Sequence, residues 1–130
     1  MKTLLQTREL SYRYPNRGMV LDKVDFQLAE GERIALVGAN GAGKTTLFHL
    51  LVGLKKAKSG EVIAFGQTRR GESQFVEVRA RAGLLFQDPD DQLFCPTVLE
   101  DVAFGPLNLG KSRDDAIAIA RRTLAELGME

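Results

Sequence analysis

The chain has 130 residues, enough to bury a real core, and its 44% apolar and 27% charged residues are typical of a soluble globular protein. Its 18 basic and 17 acidic side chains leave a formal charge of +1, so overall charge lends no support to a nucleic-acid partner. One cysteine, Cys95, excludes an internal disulfide and a cysteine metal cluster.

The opening stretch MKTLLQTREL lacks the apolar core of a signal peptide, and no apolar run reaches the length of a membrane span. TLLQTRELSYRY alternates in part and stops at the Pro15-Asn16 turn signal, which predicts a strand. VLDKVDFQL puts Val20, Asp22, Val24, Phe26 and Leu28 on one face of a second strand. RIALVG carries four consecutive apolar residues, Ile34 to Val37, and predicts a strand buried on both faces, as in a parallel sheet. After a glycine-rich stretch, KTTLFHLLVGL repeats Leu47, Leu50, Leu51 and Leu54 at helical spacing, and Gly53 lies near that helix's end. Lys55, Lys56 and Lys58 then read as a short solvated cluster in a loop.

SGEVIAFG returns to strand character, SQFVEVRARA predicts a short helix, and GLLFQ is a second buried-strand candidate. DPDDQLFCP reads as a loop. TVLEDVAFG predicts a short helix opened by Thr97, with Glu100 as capping-box partner, and broken at Gly105-Pro106. The last helix is capped by Ser112 with Asp115 at the capping-box position, and Gly128 is placed to end it. Its apolar face holds Ala116, Ile119, Ala120, Thr123, Leu124 and Leu127. Cys95 reads as a structural thiol and His49, alone on its helix, as a structural histidine.

GANGAGKTT carries the chemistry. It matches G-x-x-x-x-G-K-[ST] in full: Gly38, Ala39, Asn40, Gly41, Ala42, Gly43, Lys44 and Thr45, between a predicted strand and a predicted helix. A helix N-terminus offers unpaired N–H groups and a partial positive charge to a polyphosphate. Gly41 and Gly43 allow backbone conformations that turn successive N–H groups inward as a nest. Lys44 reaches the β- and γ-phosphates as a point charge, Thr45 offers a hydroxyl to Mg²⁺, and Thr46 can bind an α-phosphate oxygen. A dinucleotide site needs G-x-G-x-x-G, and here the glycines fall in the wrong order.

The stretch LSYRYPNRGMVLDKVDFQLAEGERIALVGANGAGKTTLFHLLVGLKKAKSGEVIAFG resembles the start of an ABC-type ATP-binding domain. The resemblance implies an α/β phosphate-loop fold with an N-terminal antiparallel β subdomain. It also implies that Tyr14 stacks on adenine and that Val20 flanks the adenosine. GLLFQDPDDQLFCPTVLEDVAFGPLNLG resembles the glutamine-loop region of energy-coupling-factor ATPases, which serve cobalt, nickel and vitamin importers. That implies that Gln87 reaches Mg²⁺ and the attacking water and senses the γ-phosphate. It implies too that Asp88 to Leu109 packs on a transmembrane permease subunit, with Phe94, Val98, Val102 and Phe104 as candidate contacts. The alternatives are that these four fill a helical core, and that Asp88 is a strand-end metal ligand.

The resemblance divides the chain into 1–86, the β subdomain and phosphate-loop core, and 87–130, the glutamine loop and start of the helical subdomain. It implies Mg-ATP as ligand, a homo- or heterodimer of ATPase subunits, and a peripheral place on the cytoplasmic face of the membrane. The family's signature motif, Walker-B strand with its Asp and catalytic Glu, and switch histidine are not found in this sequence. Hydrolysis is therefore expected of a longer protein and not of these 130 residues, which read as a truncated product or part of a split domain. A nucleotide-binding module without turnover, or a soluble ABC-type ATPase, is the alternative.

Overall fold

The computed structural model describes the backbone of residues 2–39 and 41–129 and, except for Pro89 and Asp91, their side chains. Among the described residues the chain forms two compact units, one through Leu84 and one from Leu85 onward.

The first unit is built on four antiparallel strands in the order β2-β1-β3-β4: β1 (Thr3–Tyr14), β2 (Gly18–Ala29), β3 (Ser59–Ala64) and β4 (Gln67–Arg69). Pro15 cannot donate to the ladder, and the chain turns there, with the Arg17 N–H on the Tyr14 carbonyl at 3.3 Å. The β1–β2 register slips around Glu9 and Lys23, two non-glycine residues at φ 46° and 50°. Side chains take over where the ladder is interrupted: the Glu9 N–H donates to Asp25 Oδ1 at 2.8 Å and the Lys23 N–H to Ser11 Oγ at 2.9 Å.

Two helices, α1 (Lys44–Leu51) and α2 (Glu72–Arg81), complete the unit's core. Leu47, Leu50 and Leu51 recur at helical spacing and bury one face of α1 against Leu10 and Leu21 of the sheet, Val62 and Ala64 of β3, and Phe75 and Val78 of α2. Each fully buried leucine contributes roughly 1.5–3 kcal/mol. Arg69, the last residue of β4, is only 4% exposed. It donates to the Ala64 and Gln74 carbonyls, each at 3.1 Å, and pairs with Glu77 at 3.0 Å, tying β4 to α2.

The antiparallel part follows the sequence pattern, but the two runs expected as buried parallel strands do not. Residues 32–39 form no strand, and Val37 is 93% exposed. Residues 82–86 form none either, and Leu85 is 75% exposed. A parallel strand is made by hydrogen-bonded neighbours on both sides, and the four-stranded sheet of the described residues includes neither run. Ile34, Leu36 and Leu84 instead line an open apolar groove with Leu5, Phe26 and Phe48. β4 is the reverse case, a strand without a distinct sequence pattern, made by the Phe65-Gly66 turn folding three residues back on β3.

The second unit contains a 3₁₀ turn (Pro89–Gln92) and the helices α3 (Val98–Asn108) and α4 (Arg113–Glu126). Both helices start as their sequences predict. Thr97 Oγ1 accepts from the Glu100 N–H at 3.1 Å, and Ser112 Oγ from the Asp115 N–H at 3.2 Å. Ala103, Ala116 and Ala120 form the contact between them, with Leu99 and Val102 packed against it. Gly105-Pro106 does not break α3, which runs on to Asn108. Proline lacks one donor, and the turn closes beyond it through the Leu109 N–H to Gly105 O at 3.1 Å and the Lys111 N–H to Pro106 O at 3.1 Å. Among the described residues no helix is long and apolar enough to cross a membrane.

Candidate functional site

The helix N-termini of the described residues differ: α2 starts from Gly71, whose N–H donates to the Gln74 side chain at 3.2 Å, and has Glu72 in its first turn. Thr97 and Ser112 close the N-termini of α3 and α4 with a hydroxyl, and both first turns carry acids. The N-cap of α1 is Gly43, which has no side chain to cap it, and the helix's first turn has no acid. Its leading N–H groups and the positive end of its dipole are therefore left for an anion.

Gly43 itself is forced. Its φ is 95°, in the left-handed region, and a Cβ there would lie 2.8 Å from Leu21 Cδ2 and 3.0 Å from Val20 Cγ1. The same closeness puts Val20 beside the start of α1. Gly41 is also left-handed, at φ 85°. Asn40 lies outside the described residues. Gly38, Ala39, Gly41 and Ala42 are exposed, and the Ala42 N–H closes a turn on the Ala39 carbonyl at 3.1 Å.

Lys44 bends back over this loop and donates to the carbonyls of Gly38 and Ala39. Its ammonium forms no ion pair among the described residues, so its charge is held at the loop by neutral acceptors alone. Thr45 is exposed, as a hydroxyl offered to a metal must be, whereas Thr46 is buried. Thr46 Oγ1 lies 3.0 Å from Tyr14 Oη. That hydrogen bond brings the end of β1 to the first turn of α1, so Tyr14, Val20, Lys44, Thr45 and Thr46 share one region of the first unit. Tyr12 packs edge-on against Tyr14, ring centres 5.0 Å apart.

Gln87 and Asp88 belong to the second unit and are exposed. Asp88 Oδ1 accepts from the Asp90 N–H at 3.3 Å and caps the 3₁₀ turn. Of the four apolar candidates in the following segment, Val102 packs toward the α3–α4 core, while Phe94, Val98 and Phe104 are exposed. Phe94 and Phe104 meet edge-to-face, centres 4.7 Å apart.

Cys95 and His49 are quiet groups. Burial pushes the Cys95 thiol up, and its bond to the Asp101 carboxylate adds to this, so it is a poor nucleophile. Burial lowers the His49 pKa and the charge of Lys55 lowers it further, which favours the neutral ring. Lys55 departs from its sequence reading. It is half-buried, with its ammonium over the Tyr12 and Tyr14 rings and not simply in solvent.

Against known protein families, residues 21–130 match the model of the ABC transporter family. The chain belongs to the ABC transporter family. It is 55% identical, over 99% of its length, to a protein of Brucella suis biovar 1 described as an ABC transporter ATP-binding protein, covering 53% of that relative. It is 45% identical over 99% of its length to the energy-coupling factor transporter ATP-binding protein EcfA of Methanosphaera stadtmanae, covering 47% of it. Among solved structures it matches cbiO1 of Clostridium perfringens, part of the ABC transporter complex cbiONQ, with a TM-score of 0.82 at 31% identity. That match covers the whole of this chain and 52% of cbiO1. The chain thus spans about half the length of the relatives it matches. Its antiparallel sheet and helices are those of an ABC ATP-binding domain.

Proposed function

We propose that this chain is the nucleotide-binding part of the ATP-binding subunit of an ABC importer. The observation that carries the proposal is the uncapped, acid-free N-terminus of α1 behind two left-handed glycines, with Lys44 held at the loop. In this reading the N–H groups of Gly41 to Thr46 and the Lys44 ammonium hold the triphosphate. Tyr14 carries the adenine and Val20 flanks the adenosine. Thr45 and Gln87 are the Mg²⁺ residues, and the ion's contribution is to neutralise charge on the β- and γ-phosphates. Thr45 suits that role because its hydroxyl is exposed beside the lysine.

Gln87 then acts as the γ-phosphate sensor, and the segment from Asp88 to Leu109 as the dock for a transmembrane permease subunit. The exposed Phe94, Val98 and Phe104 support the dock, and Val102 is better assigned to holding α3 on α4. The names of the EcfA and cbiO1 relatives support an energy-coupling-factor transporter; import, and cobalt, nickel or a vitamin as the solute, rest on the resemblance of the segment around Gln87 alone. Hydrolysis, pairing with a second ATPase subunit and attachment to the cytoplasmic face of the membrane enter this reading from the ABC transporter family and not from the 130 residues themselves. The 130-residue chain by itself binds Mg-ATP without turning it over.

Calorimetric titration of the chain with Mg-ATP tests this. Saturable binding at one nucleotide per chain is expected. Heats no larger than dilution at millimolar nucleotide would overturn the reading.

A further inference from the structure

The ring of Tyr14 and its hydroxyl have different neighbours. The ring packs edge-on against Tyr12, centres 5.0 Å apart, and the Lys55 ammonium lies 5.0 Å from its centre. The hydroxyl lies 3.0 Å from Thr46 Oγ1, in the first turn of α1. Among the described residues no other side-chain hydrogen bond joins the sheet to α1. The Thr46 hydroxyl also lacks the partner that a threonine further inside a helix can find. Thr123 of α4 donates to the Ile119 carbonyl at 2.9 Å. Four residues before Thr46 the chain is still in the loop, and the hydroxyl meets Tyr14 instead.

The same turn carries donors of the candidate phosphate site. Lys44, Thr45 and Thr46 open α1, and N–H groups at these positions have no acceptor within the helix. Such donors hold an anion best when they are fixed before it arrives. Two contacts fix them here. Gly43 lies close against Val20 and Leu21 of β2, and Thr46 is tied to Tyr14 of β1. Thr46 is only 5% exposed, so water is a poor substitute for the phenol.

Resting on the reading of the α1 N-terminus as the phosphate site, we propose that Tyr14 is a positioning residue for the phosphates, separately from any contact with the base. It acts through Thr46, and its hydroxyl is the group required. Phenylalanine keeps the ring but leaves Thr46 without this bond, so the two aromatics are not equivalent at this position.

Calorimetry of the whole chain with Mg-tripolyphosphate isolates this role, because that ligand has no base to stack. Tyr14→Phe is expected to weaken its binding about threefold to tenfold, the worth of one hydrogen bond. Thr46→Val removes the other hydroxyl at similar volume and should weaken it by a comparable factor. Adding Tyr14→Phe to Thr46→Val should then cost less than about twofold more, since the two hydroxyls form one interaction. A bond that served stability alone would lower the urea midpoint of Tyr14→Phe and leave the ligand affinity of the folded protein in place. A Tyr14→Phe loss below about threefold therefore overturns the inference. A further loss of about twofold or more in the Thr46→Val background also overturns it, because Tyr14 would then act by another route. A wild type that binds neither Mg-tripolyphosphate nor Mg-ATP overturns the phosphate-site reading and this inference with it, whereas normal wild-type binding with an unmoved Tyr14→Phe overturns this inference alone.

Discussion

The Tyr14 hydroxyl lies 3.0 Å from the Thr46 hydroxyl, so one hydrogen bond joins the last residue of β1 to the first turn of the phosphate-loop helix. Thr46 is buried, so its oxygen has no ready substitute partner in water. Tyr14→Phe removes this bond and keeps the ring. It is expected to cost about 0.5–1.5 kcal/mol in urea unfolding and to leave base stacking in place. Tyr14→Ala should in addition weaken Mg-ATP binding by about 1–3 kcal/mol. Equal nucleotide affinity in the two variants would show that the ring does not carry the base.

Gly43→Ala is expected to destabilise the chain by roughly 2–4 kcal/mol, from left-handed strain together with overpacking against Leu21 and Val20. Urea unfolding of the variant checks this. A loss below about 0.5 kcal/mol, the range of ordinary surface changes, would show that the turn into α1 is not as tight as described.

Arg69→Met should destabilise the first unit by about 1–3 kcal/mol. Methionine fills much of the volume but gives nothing to the Ala64 and Gln74 carbonyls. The loss is moderated because Arg69 Nη2 is buried with no acceptor among the described residues, a cost that the substitution removes. Glu77→Gln should cost much less, since Glu77 is largely exposed and its amide oxygen still accepts. A Glu77→Gln loss as large as that of Arg69→Met would contradict this assignment.

The pKa directions give a stability profile with two falls on the acid side. The lowered pKa of His49 means that the unfolded state takes up its proton first. Stability from this residue is complete above about pH 6.5 and is lost as pH falls toward the folded-state value. For Glu77, the Arg69 hydrogen bond and charge hold the carboxyl low. Burial opposes ionisation of Asp101, but the Cys95 and Phe94 N–H groups outweigh it and bring its pKa below the usual range. Stability from these acids is complete above about pH 4 and is lost below it. Urea midpoints measured from pH 8 to pH 3 should therefore fall first near pH 6 and again below pH 4, and His49→Gln should remove only the first fall. A midpoint flat from pH 7.5 to pH 5.5 in the wild type would contradict the role given to His49.

The elements legible in the sequence are those whose determinants are local. Thr97 and Ser112 announce their helices because a cap needs only the next three residues. Gly41 and Lys44 are legible because the loop's own geometry sets their residue types, whereas the closeness of Gly43 to Val20 and Leu21 comes from β2. Ile34–Val37 misled because an apolar run records how a strand is buried only when its neighbours are present, and the described sheet includes none. Lys55 misled for a related reason: a charge in a loop reads as solvated until the loop is seen to cross two aromatic rings. β4 was hidden because three residues are too few to show a period.

Lys44 carries the central claim, and calorimetric titration of Lys44→Ala with Mg-ATP tests it most directly. The account expects affinity to fall by roughly 2–5 kcal/mol relative to wild type, with the urea midpoint little changed, because the bonds of Lys44 among the described residues go to the exposed Gly38 and Ala39 carbonyls. An Mg-ATP affinity equal to that of the wild type would contradict it.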